Sequence, residues 1–99
     1  EHAANPAGLA LGNAALTRGD LAAAESDYRQ AVELDRINVA ARNNLAEVLL
    51  RRGCVSAARS ETEIATTLAG SGPLAAAVAD TAARVLASSN SDVQGCPAP

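Results

Sequence analysis

Few residues in this 99-residue chain have the type and spacing that chemistry requires. His2 is the only histidine, and it sits at a terminus that should fray, with no partner at ligand or general-base spacing. Cys54 and Cys96 are the only thiols. Cys54 and His2 would make a nucleophile–base pair only by coincidence, and His2 with two cysteines supplies too few ligands for a metal. Glu25, Asp27, Glu33 and Asp35 read as a solvated helix face, with Glu25 and Arg29 as an i,i+4 ion pair. No glycine-rich loop is present to cradle a phosphate. The expectation is a non-enzyme with no catalytic residue, no metal and no cofactor.

Composition fixes the kind of element that carries these residues. The chain holds 25 alanines, a single aromatic (Tyr28), and no Phe, Trp, Met or Lys. Alanine is the best helix former, and the Val, Ile and aromatic stock of a β-sandwich core is thin, so the fold class is all-α. Hydrophobic residues at 48% against 19% charged are enough for a packed core and argue against disorder. The net charge is −3, with the Arg residues interleaved among eleven acids, so no phosphate-binding footprint exists and nucleic acid is not an expected partner. No apolar run approaches the ~18 residues of a membrane-crossing helix, so direct membrane insertion is not expected. All eight cations are Arg, which suggests a GC-rich, bacterial genome. A start at Glu1 rather than Met reads as a processed product or an excised piece.

The chain repeats itself. Comparing residues 5–34 with 39–68 pairs Ala7/Ala41, Leu11/Leu45, Leu16/Leu50, Arg18/Arg52, Gly19/Gly53, Ala23/Ala57, Ala24/Ala58, Ser26/Ser60, Ala31/Ala65 and Leu34/Leu68. The alanine matches carry little weight in so Ala-rich a chain; the Gly, Arg and Leu matches carry most of it. Each unit reads as two helices around a turn. The first has helices over 6–18 and 21–35, with Gly19 at the left-handed position and Asp20 as cap. The second has helices over 38–52 and 55–69, broken at Gly53. Gly70, Ser71, Gly72 and Pro73 form a stop, a fifth helix covers 73–88, and the tail 89–99 is expected to be loosely ordered.

These residues resemble the tetratricopeptide repeat, a 34-residue helix–turn–helix unit. Its pattern of Leu then a small residue, Gly at the turn, and two small residues flanking an aromatic appears as Leu11, Gly12, Gly19, Ala24, Tyr28 and Ala31, then as Leu45, Ala46, Gly53, Ala58 and Ala65. The early aromatic is absent at Gly8 and Arg42, Thr62 replaces the second one, and Arg36 and Gly70 stand where Pro ends the unit. The resemblance spans residues 5–70. It implies a right-handed superhelical stack of units 5–38 and 39–72 with a capping helix 73–88, together one domain over 1–88. Val78 and Ala79 fill the Leu–small slot of the cap, and Asp80 and Arg84 fall on its wet side. The segments 12–20, 41–54 and 73–81 also look like the C-terminal repeat module of bacterial proteins that carry a papain-like, bacteriocin-leader-type peptidase domain.

Such stacks line their concave groove with set positions of each first helix. Here these are Pro6, Leu9, Asn13, Leu16 and Thr17, then Ala40, Asn43, Glu47, Leu50 and Arg51. An apolar middle with Asn, Glu and Arg at its margin suits a peptide or helix with a few apolar anchors; packing on a neighbouring domain of the same chain is the alternative. Asn13 and Asn44 match both Asn positions of the subfamily that clamps C-terminal carboxylates, but its first Lys position is Leu9, so clamping is not expected. In an up-down-up stack the cap ends beside the turn that holds Cys54. The stretch 88–96 could reach back, since eight extended residues span up to roughly 27 Å. A Cys54–Cys96 disulfide is therefore expected, implying the periplasm or another extracytoplasmic space; two free thiols and a cytoplasmic protein are the alternative. The expected function is non-catalytic protein–protein interaction, as an adaptor or docking module. The runner-up is an accessory repeat domain of a larger bacterial cysteine-peptidase-type protein, positioning substrate or stabilising the catalytic domain.

Overall fold

The computed structural model describes residues 6–88 and 91–99. Five helices follow one another: α1 Pro6–Thr17, α2 Leu21–Leu34, α3 Val39–Arg51, α4 Val55–Ala69 and α5 Ala75–Ala87. Among the described residues there is no strand, and the all-α expectation holds. The first four helices end within a residue of the positions expected. The fifth starts later, at Ala75 rather than 73. The Gly72 N–H bonds to the Ala69 carbonyl and the Ala75 N–H to the Gly72 carbonyl, so Pro73 and Leu74 stay in the turn.

Local chemistry explains the ends. Asp20 accepts from the Ala23 N–H at 3.1 Å to cap α2, and Asn38 does the same for α3 through Ala41 at 3.1 Å. Gly19 and Gly53 take φ of +79° and +83°, a left-handed turn that a side chain would strain.

Each helix packs mainly on the next in sequence; α3 also meets α5 and, more narrowly, α1. Small residues sit where helices cross: Ala15, Ala24, Ala31, Ala41, Ala46, Ala58 and Ala65 are fully buried. Tyr28, Leu45, Val48 and Leu49 fill the space between them, and Val78 and Val85 bring α5 onto α4. Gly12 and Tyr28 are a matched pair, because a Cβ at Gly12 would lie 2.4 Å from the tyrosine ring.

Two expectations are corrected. The acids of α2 are not a uniform solvated face. Glu25 is mostly buried and pairs with Arg29 at 3.1 Å and with Arg52 from the α3–α4 turn, tying the two helix pairs together. Asp35 is buried at the α2 C-terminus, where its N–H bonds back to Ala31 and its carbonyl accepts from Asn38. Nor is the described part of the tail loose. The Val93 N–H bonds to the Gly53 carbonyl at 3.2 Å, Asp92 accepts from the Ser56 N–H at 2.9 Å, and Cys96 lies at disulfide distance from Cys54, with Cα atoms 5.4 Å apart. A polar, Pro-bearing composition suggested disorder; the turn between α3 and α4 supplies the partners that order it.

Candidate functional site

The first, third and fifth helices share a face, and contacts across it define the candidate site. On α1, Asn13 receives two hydrogen bonds on its amide oxygen: the Tyr28 hydroxyl donates at 2.5 Å and the Asn44 amide at 3.2 Å. Tyr28 is fully buried, and only its hydroxyl serves this face. Burial pushes the Tyr28 phenol above its ordinary 10.0; the Glu47 carboxylate adds to the shift, while the Asn44 bond and Arg51 oppose it. The phenol is therefore a neutral donor across the physiological range. Thr17 is exposed and donates to its own helix at the Asn13 carbonyl, 2.9 Å away.

On α3, Glu47 is held between two guanidinium groups, Arg51 at 2.7 Å from its own helix and Arg84 at 3.4 Å from α5. Arg84 also pairs with Asp80 at 3.3 Å. These charges are linked across helices and half-exposed, which favours fixed geometry more than stability. Asn43 lies one turn before Glu47 on α3, its amide oxygen buried without a hydrogen-bond partner.

The predicted groove residues thus divide into two groups. Asn13 and Thr17 from α1 and Glu47 and Arg51 from α3 present polar groups on the shared face. Leu9, Leu16 and Leu50 are half-buried and packed against the core, so they support the face more than they offer free anchors. A charge placed at Leu16 or Leu50 would disturb packing as well as binding, and those positions do not test docking cleanly. Pro6 opens α1, but its side chain lies outside the described residues, and so does His2.

Sequence reasoning placed Asp80 and Arg84 on the wet side of the cap without adding them to the groove. A signal was present. With the one-residue deletion of the cap, Asp80 and Arg84 fall in register with Glu47 and Arg51, so an acid–Arg i,i+4 pair recurs on successive helices. A second concavity opens between α4 and α5, a cleft of about 430 Å³ lined by Arg59, Thr62, Glu63, Thr66, Thr67, Ala82, Val85 and Leu86. It borders Thr62, the position where the first unit has Tyr28.

Cys54, three residues past Arg51 in the α3–α4 turn, is buried, and Cys96 from the C-terminal segment lies half-buried against it. Among the described residues, no group of three or more His, Cys, Asp or Glu is placed to hold a metal ion, and no helix is long and apolar enough to cross a membrane. Comparison with protein-family models, with curated proteins and with solved structures returns no match to this chain.

Proposed function

We propose that this chain is a non-catalytic docking module of tetratricopeptide type, two helix–turn–helix units and a capping helix, which holds a peptide or helix of a protein partner against the face shared by α1, α3 and α5. The observation that carries this reading is the run of positioned polar groups on that face. Asn13 is fixed with its oxygen inward by Tyr28 and Asn44, which leaves its amide nitrogen as the ligand-facing end, and the Arg51–Glu47–Arg84 chain stands beside it. Such groups orient an extended or helical peptide while the leucines behind them exclude water. The Cys54–Cys96 pair favours an oxidising, extracytoplasmic setting such as a bacterial periplasm.

Photo-cross-linkers at Thr17 and Arg84, compared with Ala22 and Gln30 on the exposed side of α2, test the surface in the native host. The docking reading expects one partner captured at the first pair only, and Arg84→Glu to weaken its binding at least about tenfold. Equal capture from α2 would move the contact elsewhere.

A second reading has a specific support: Leu11 on α1 is 61% exposed, an apolar residue on the helix that a preceding domain would meet. The module would then be the accessory domain of a larger cysteine-peptidase-type protein. A Cys/His peptidase signature upstream favours this reading, and further repeats favour the adaptor.

A further inference from the structure

We propose that the C-terminal segment is a redox-released latch: the Cys54–Cys96 disulfide holds Asp92 on the amino end of α4, and reduction by a dithiol frees the segment and uncaps that helix. The repeat register carries the idea. Asp20 precedes α2 and caps it with its own carboxylate, whereas the residue at the corresponding place before α4 is Cys54, which makes no side-chain cap. Its sulfur is committed to Cys96 instead. The missing cap comes from 36 residues further along the chain, where Asp92 accepts the Ser56 N–H at 2.9 Å. The second unit has thus exchanged a local cap for one delivered by a cross-link.

The rest of the docking is slight. Val93 donates its N–H to the Gly53 carbonyl at 3.2 Å and lays its methyls over Gly53, where a Cβ would stand 2.9 Å from Cγ1. Asp92, Val93, Gln94 and Gly95 are all exposed. Asp92 also draws on the Ser56 hydroxyl, the Val55 N–H and the Arg59 charge, but these are surface contacts around exposed residues and offset little of the entropy of ordering such a segment, so the covalent bond decides whether it stays.

Access sets the direction of the chemistry. Cys54 is fully buried and Cys96 half-buried, so the thiolate of an incoming dithiol attacks Cys96 Sγ. The bond between the two protein sulfurs breaks, its electron pair passes to Cys54 Sγ, and that sulfur takes up a proton. It leaves from the residue that precedes the first turn of α4, where the helix dipole favours negative charge. The second thiol of the reductant then attacks the mixed disulfide, releasing Cys96 as a thiol and leaving the reductant as a cyclic disulfide. The protein gains two electrons and two protons, and the dithiol loses the same.

Amide hydrogen exchange on the intact chain, before and after treatment with dithiothreitol, tests the latch. In the oxidised protein the Ser56 and Val93 amides should be protected. After reduction both should exchange at least about tenfold faster, and by a larger factor than Ala24 in α2, whose exchange follows only the loss of global stability, while the helical circular dichroism stays unchanged. Asp92→Asn should accelerate Ser56 exchange in the oxidised protein and have no further effect in the reduced one. Cys96→Ser should reproduce the reduced pattern without any reductant. Continued protection of Ser56 and Val93 after complete reduction would show that the segment docks unaided, and the latch is wrong. Equally fatal is a reduction that proceeds only as fast as Ala24 exchanges, since the bond would then open only when the whole chain unfolds.

Discussion

Gly12 and Tyr28 in the first unit correspond to Ala46 and Thr62 in the second, and each pair is consistent in size. With glycine on the first helix a full ring fits against it; in the second unit the corresponding buried residues are Ala46 and Thr62, whose hydroxyl bonds to the Arg59 carbonyl at 2.9 Å. Gly12→Ala should therefore destabilise the chain by about 1–3 kcal/mol through overpacking, measured by urea denaturation. Coupling Gly12→Ala to Tyr28→Thr, which copies the second pair, should cost less than the sum of the single changes; strict additivity would mean that the two residues do not share the space. Tyr28 is also the sole tyrosine, so its near-ultraviolet absorbance reports one group. Its folded pKa is raised above the ordinary 10.0, so its contribution to stability is complete below that value and lost as pH rises through the folded value. Tyr28→Phe should abolish that alkaline loss, and an absorbance titration at the ordinary value would contradict the burial argument.

At the scale of the element, the helix ends follow from single residues. Asp20 and Asn38 cap as their types predict, and Gly19 and Gly53 turn as theirs allow. Neither Cys54 before α4 nor Leu74 before α5 caps with its own side chain, and the cap of α4 arrives from the tail. The Ser56 backbone N–H is the main cause that holds the Asp92 carboxyl below its ordinary 3.8. The sign is that of a depressed carboxyl: its contribution is complete above the ordinary value and disappears as pH falls through the lower folded value. Comparing acid unfolding of the oxidised protein with that of Asp92→Asn should show this component missing from the variant. Identical acid profiles would remove Asp92 from the account. Replacing Cys54 by Asp in a Cys96→Ala background should recover about 0.5–2 kcal/mol relative to Cys54→Ala in the same background, because α4 then has a cap of the kind α2 uses.

For the whole molecule, the cross-link spans 42 residues, and chain entropy puts its stabilisation at about 4 kcal/mol at most. Reduction should lower the urea midpoint accordingly, and an unchanged midpoint would show that the bond constrains an unfolded chain already confined. The helices, their small crossing residues and the place of the turns were legible in the sequence, since periodic apolar positions, caps and left-handed glycines act within a few residues. The face formed by α1, α3 and α5 was legible only in part. The register selected Asn13, Glu47 and Arg51, but Arg84 and Tyr28 join them through contacts between helices, and Leu9, Leu16 and Leu50 turned inward because the core claims apolar surface first. Sequence alone determined an all-helical chain in which residues 39–68 repeat the pattern of residues 5–34. Tertiary structure decided that the segment from Asp92 to Cys96 docks on the α3–α4 turn, that Asp92 serves α4, and which side chains share a surface. Caps and periods are local and repeat every few residues, whereas a partner 36 positions away is selected only when packing brings two distant backbones together.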